Sequence, residues 1–182
     1  MMKRALCLVG VAVLALSAAG CNQRTDKDEG TVILTISSFD GLPLRVSVNS
    51  QDLVQVGEFT LSNIPKDPNG ITSSLQDIEL RSYEVVFTRA DVGTRRPPTR
   101  VGGIFGNVPV SGEDRIENLD VMGLDQLRNP PLSDLLFENG GFDKETGSQL
   151  IQLNLAVRFF GRTLAGDSIA SNTATFTVEF VP

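Results

Sequence analysis

The chain has 182 residues, with 16 basic side chains against 22 acidic ones, a formal net charge of −6, no His, no Trp, one Tyr and two Cys. Without an imidazole, and with Cys7 and Cys21 as the only thiols, it can build no Ser-His-Asp triad, no Cys-His dyad and no ordinary zinc site. The length is that of one domain with a short appendage, and a domain near 150 residues buries about 70% of the surface its unfolded chain exposes, so a core forms without disulfides. All 22 acidic residues lie beyond residue 25, and removal of the first 20 residues leaves 14 basic side chains and a net charge of −8. Such a surface repels phosphate backbones and speaks against nucleic acid as a partner.

The chain opens on the basic segment Met1-Met2-Lys3-Arg4, followed by an apolar run from Ala5 to Ala19. At about 15 residues the run is too short for a membrane-spanning helix, which needs about 20, and fits a secretory signal instead. The run ends in Leu16-Ser17-Ala18-Ala19-Gly20-Cys21. This segment resembles the lipobox of bacterial lipoproteins, in which small residues admit the signal peptidase and the Cys is diacylated. The one departure is Ala18, where Leu, Ile or Val is commoner. The resemblance implies a signal peptide over 1–20 and a lipid anchor on Cys21. It also leaves no unpaired thiol, because Cys21 would be the sole Cys of the mature chain and an exported free thiol is unusual. A diacylglycerol supplies the two chains that stable anchoring needs. By the same resemblance Asn22, rather than Asp, points to the outer membrane. Residues 22–30 are polar, making 21–30 a flexible tether that keeps the domain close to the membrane.

From residue 31 to the final Pro182 the pattern is that of strands in a single domain. Val32, Leu34 and Ile36 share one face, Asp40-Gly41 reads as a turn, and Leu44 to Val48 alternates again, which predicts a first antiparallel hairpin. Two apolar pieces divided by Gly57 lie between Asp52 and Leu61, and residues 65–70 form a strong turn cluster. In the next strand Ile78 and Leu80 occupy even positions, whereas Tyr83, Val85 and Phe87 occupy odd ones. The phase therefore slips near Arg81-Ser82, as a bulge requires. Val101 to Val110 is Gly-rich and strand-like, and Arg115 to Val121 alternates imperfectly. Leu124 to Leu136 has no β-branched residues and contains Pro130-Pro131, so it reads as a loop with short helical turns at Leu132 to Phe137. Alternation is clearest in Leu153, Leu155, Val157 and Phe159, and in Phe176, Val178 and Phe180, with the turn-rich stretch 161–172 between them.

Seven to nine short strands and no amphipathic helix give an all-β sandwich, with an open barrel as the alternative closure of the same strands. The Tyr83-x-Val85-x-Phe87 strand resembles those of immunoglobulin-like domains, which implies an immunoglobulin-like antiparallel sandwich over residues 31–182; the Cys and Trp hallmarks of antibody domains are absent.

Carboxylates are the one plentiful catalytic type, and a paired-carboxylate hydrolase is the enzymatic alternative. Asp125, Asp134, Glu138, Asp143 and Glu145 cluster in sequence but read as loop residues, in a chain poor in the aromatic platforms that sugar sites use. Residues 139–147 offer oxygens and turns for Ca²⁺, yet lack EF-hand spacing and include Lys144, so neither metal nor cofactor is expected. Gly102-Gly103-Ile104-Phe105-Gly106 lacks the Gly-Lys-Ser/Thr ending of a phosphate loop and fits a strand with close backbone packing. Arg95-Arg96-Pro97-Pro98-Thr99-Arg100 places three guanidinium groups on a stiff loop. Arg95, Arg96 and Arg100 are therefore the candidate contact residues toward an envelope protein or an acidic surface ligand. The expectation is a lipid-anchored, non-enzymatic binding or structural module of the cell envelope. A hydrolase or a periplasmic assembly or transport accessory is the alternative.

Overall fold

The computed structural model describes residues 30–50 and 53–182; the segments expected to be a signal peptide and a tether, with Cys21, lie outside the described residues. Nine strands run through them: β1 (Val32–Asp40), β2 (Arg45–Ser47), β3 (Val54–Pro65), β4 (Ile78–Arg89), β5 (Arg100–Val108), β6 (Glu113–Met122), β7 (Ile151–Thr163), β8 (Ser168–Ala170) and β9 (Ala174–Val181). They form two sheets, β1-β3-β6 and β2-β9-β7-β4-β5, with β8 added beside β7. With β1 and β3 side by side in one sheet, and the last strand between β2 and β7 in the other, the order is the Greek key of an immunoglobulin-like sandwich. Among the described residues no helix is long and apolar enough to cross a membrane.

The first predicted hairpin does not form. β1 pairs antiparallel with β3, whereas β2 pairs with β9, and in parallel. Asp40-Gly41 is not a hairpin turn but the place where the chain leaves one sheet for the other. Gly41 has φ +68°, and a Cβ there would stand 2.9 Å from the Cα of Gly57, whose N–H donates to the Gly41 carbonyl at 3.1 Å. Only two glycines allow the crossing to pass so close to β3. The sheet is thus antiparallel except for one short parallel pair.

The phase slip at Arg81-Ser82 is present. Register shifts between Leu80 and Ser82 against both β5 and β7, which turns Ile78 and Leu80 inward before the slip and Tyr83, Val85 and Phe87 inward after it. These residues meet β1 and β3 across the core, where the Phe59 and Phe159 rings stand edge to face at 5.4 Å and 70°. Tyr83 also ties the sheets together through a polar contact. Its hydroxyl donates to the Asp120 carbonyl of β6 at 2.7 Å. The Gly-rich β5 exists for that packing, since a Cβ on Gly102 would run into the Tyr83 ring.

Strand directions sort the connections into two ends. Val32 pairs with Pro65, Ile78 with Val108 and with Thr163, so residues 66–77, 109–112 and 164–167 lie at the same end as Gly30, where the described chain begins. We refer to this as the root end. The segments 90–99 and 123–150 lie at the other, distal end, about 40 Å away along the 13 residues of β7.

Candidate functional site

The distal end is held by one ionic network. Arg89 ends β4, the last position of a strand whose inward residues are all apolar, and its side chain is 3% exposed. A guanidinium withdrawn from water so far must be paired. Its Nε and Nη2 donate to Asp91 at 2.6 and 3.0 Å, and Nη2 donates also to Asp143 at 2.8 Å. Asp143 is fully buried and in addition accepts from Arg95 Nη2 at 3.0 Å, the Glu145 amide at 3.0 Å and the Thr146 hydroxyl at 2.8 Å. Arg95 donates onward to Asp134 at 2.7 Å, and Lys144 lies 3.3 Å from the other oxygen of that carboxylate. Glu145 accepts from the Thr94 amide at 2.8 Å, from the Thr94 hydroxyl and from the Arg95 amide at 3.0 Å.

Burial opposes the charge on Asp143, yet Arg89, the Glu145 amide and the Thr146 hydroxyl outweigh it and hold its pKa at about 2. On Asp91 burial is likewise the largest influence and is overcome by Arg89 and the amides of Gln152 and Gly93, so its pKa is lowered. The Thr94 hydroxyl, with the Arg95 and Thr94 amides, holds Glu145 at about 2. A general acid needs a raised pKa; these three shifts run the other way. The sequence-level reading of Asp134 and Asp143 as plain loop residues is corrected, because both are buried and serve as the anchor points of the network.

The network fastens the β4–β5 loop to the long connection between β6 and β7. That connection holds a short helix α1 (Leu124–Leu127) and two 3₁₀ turns, Leu132–Leu135 and Phe137–Asn139, at the expected place. Asp134 lies on the first 3₁₀ turn, so Arg95 grips one side of the segment whose other side walls a groove of about 590 Å³. Val48, Asn49, Leu124, Arg128, Leu136 and Phe137 line it, with the Phe137 side chain 73% exposed.

The three arginines of the predicted contact loop part company. Arg95 turns inward onto Asp134 and Asp143; Arg100 begins β5 and donates through Nε to the Asp120 carbonyl at 3.0 Å beside the Tyr83 hydroxyl. Arg96 alone is exposed, and among the described residues it makes no ion pair. Cys21 lies outside the described residues. The groove was missed in the sequence because its walls come from segments some 80 residues apart. Phe137 closes the run Leu135-Leu136-Phe137, which reads as core and so gave no local sign of it. Among the described residues no three carboxylates or thiols are placed to hold a metal ion together.

No protein-family model matches this sequence, and no curated protein matches it either. One solved structure is similar in outline, the solution structure of a protein described as late embryogenesis abundant (LEA). The two share 15% identity with a TM-score of 0.44, over 94% of this chain and 84% of that one. The fold therefore rests on the strand pairing itself, and nothing about function follows from the likeness.

Proposed function

We propose that the protein is a lipid-anchored module of the bacterial cell envelope, attached through Cys21, that binds a partner protein with the loops of its distal end. The observation that carries this reading is the division of labour between the two ends. The chain leaves the sandwich toward Cys21 at the root end, and the ionic network stiffens the loops at the opposite one. Loops held rigid before binding lose less entropy in the complex, so the network serves recognition. The exposed Phe137 with Arg128 on the same groove, and the exposed Arg96 on the β4–β5 loop, give the distal end an apolar anchor and cationic groups, which suits a protein surface bearing an apolar side chain and carboxylates. Asp91, Asp134, Asp143 and Glu145 are spent on guanidinium and amide groups, which supports binding over hydrolysis at this end. Asn22 after the Cys, by the resemblance to the lipoprotein sorting pattern, supports the outer membrane.

Two measurements test the reading. Cys21→Ser should release the protein from the membrane fraction or leave it unprocessed; unchanged membrane association and mass would overturn the anchor. A photo-crosslinking residue at position 137 should capture a discrete envelope partner in cells, with loss of the adduct in Arg96→Glu plus Arg128→Glu. Hydrolytic turnover that vanishes on neutralising one carboxylate would overturn the binding reading.

A further inference from the structure

The two ends differ in charge as well as in attachment. At the distal end every long connection carries ionised side chains. At the root end the three connections have none at their tips: residues 68–76, 109–112 and 164–166 contain no Asp, Glu, Lys or Arg. What they present instead is uncharged, with Asn69, Thr72, Ser73 and Ser74 exposed beside three apolar side chains. Ile71 is 97% exposed, and Leu75 and Leu164 are about half exposed. Singly exposed apolar residues are ordinary, but these are assembled in one place.

The assembly is built by hydrogen bonds. Both arms of the loop that carries Ile71 and Leu75 are clamped to Thr31, the residue next to Gly30. The Lys66 amide donates to the Thr31 carbonyl at 3.0 Å, and Gln76 Nε2 donates to the Thr31 hydroxyl at 3.0 Å. The Ala165 amide donates to the Leu75 carbonyl at 2.8 Å and the Leu164 amide to the Asp77 carbonyl at 3.0 Å, which brings Leu164 alongside. Asp77 in turn accepts from the Val110 amide at 2.8 Å and draws in the third connection. A capping box on Ser73, with Leu75 N–H donating to its hydroxyl and its own N–H donating to Gln76, fixes the turn that holds Leu75 outward.

Nine peptide steps separate Gly30 from Cys21. They reach at most about 32 Å however they are arranged, less than the length of the domain. The root end is thus the face that a tethered sandwich presents to its own bilayer. We infer that this end is a membrane-contact surface, on which Ile71, Leu75 and Leu164 enter the headgroup region of the phospholipid bilayer that holds the lipid on Cys21. The flanking charges Lys66, Asp67, Asp77 and Asp167 stand at the strand ends, a level at which they remain in water. This inference rests on the lipid-anchor reading. Contact by the root end keeps the sandwich upright and the distal loops directed away from the membrane, instead of leaving the domain to tumble on its tether.

The test uses the mature lipidated chain, in which removal of residues 1–20 takes Cys7 away and acylation of Cys21 leaves an introduced Cys as the only thiol. Ile71→Cys and, at the distal end, Val92→Cys each replace a side chain at least 90% exposed, so neither disturbs the core. Each is labelled with an environment-sensitive dye and reconstituted into phosphatidylethanolamine–phosphatidylglycerol vesicles doped with a nitroxide lipid. The expected result is co-flotation of both, with a blue shift and loss of most emission at position 71 and neither at position 92. Co-flotation without quenching at 71, or with equal quenching at both positions, overturns the contact surface and leaves the anchor standing. A blue shift at 71 without quenching means that protein covers the loop and likewise overturns the inference. Failure to co-float, or labelling of Cys21 itself, overturns the anchor and the contact surface with it.

Discussion

Asp143→Asn would remove the charge at the centre of the distal network while keeping its shape. The carboxylate accepts four hydrogen bonds, two of them from guanidinium groups, and has no exposure to water. The amide must turn an NH₂ toward Arg89 or Arg95, donor against donor. A pKa of about 2 against 3.8 for the free side chain corresponds to roughly 2 kcal/mol of stability at neutral pH. Breaking a buried ion pair costs about 3–5 kcal/mol when one partner is left alone. Here Arg89 keeps Asp91 and Arg95 keeps Asp134, so the cost sits at the lower end, about 3 kcal/mol. For a domain of this size that is a fall in Tm of roughly 6–12 °C. The assay is urea unfolding of the purified chain followed by far-UV circular dichroism at pH 7, 5, 4 and 3. Because the folded pKa lies below the unfolded one, the contribution of Asp143 is complete above about pH 5 and is lost progressively as pH falls through about 2. The gap between wild type and variant should therefore hold from pH 7 to 5 and narrow at pH 4 and 3. A gap under about 1 kcal/mol, or one that does not change with pH, would refute the reasoning.

Arg89→Met removes the shared cation and lets the Asp91 and Asp143 pKa values rise, so stability at pH 7 should drop while the further loss on acidification to pH 3 becomes smaller than in wild type; parallel pH profiles in urea unfolding would contradict this. Gly102→Ala forces a methyl group into the Tyr83 ring and should cost about 1–3 kcal/mol, read as a lower urea midpoint with unchanged slope. Tyr83→Phe keeps the ring and loses the bond to the Asp120 carbonyl and the long one from Arg100 Nε, while Arg100 continues to satisfy that carbonyl, so about 1 kcal/mol is expected by the same assay.

Much of the fold was legible because residue parity reports which face of a strand is buried. The switch from Ile78 and Leu80 to Tyr83, Val85 and Phe87 located a bulge that both neighbouring strands share. The same alternation located β7 and β9, which pair with each other. Parity does not report partners, and this is where the reading of β1 and β2 failed. Each is a valid strand, but Asp40-Gly41 has the composition of a turn and serves as a crossing. What decides the matter is Gly57, 16 residues away, which leaves room for Gly41 to pass. The site was less legible for a similar reason. Arg89 and Asp91 are spaced like any strand end and turn, and the buried partner Asp143 lies 54 residues beyond Arg89. Arg95, Arg96 and Arg100 look alike in sequence; only the fold sends the first to a buried carboxylate, the last to a carbonyl, and leaves the middle one in water.

The network also settles how the distal loops respond to ions. The connection from residue 123 to 150 is too polar to pack as a strand, and extracellular sandwiches with such loops often gather the carboxylates on a calcium ion. Here the gathering charge is covalent. Arg89, Arg95 and Lys144 bring three positive charges against Asp91, Asp134, Asp143 and Glu145, and the oxygens a cation would need are already occupied. A Ca²⁺ ion held by Asp91 and Asp143 would have to displace Arg89, whose side chain is 3% exposed, and so would strand that charge. Millimolar Ca²⁺ or a chelator should therefore leave Tm unchanged at pH 7. Under the same conditions Asp143→Asn lowers Tm, so an inert result cannot be mistaken for loops that do not matter. A rise of Tm with Ca²⁺ that is lost in Asp143→Asn would show that the carboxylates are available to a cation, and would overturn the view that the arginines have taken its place.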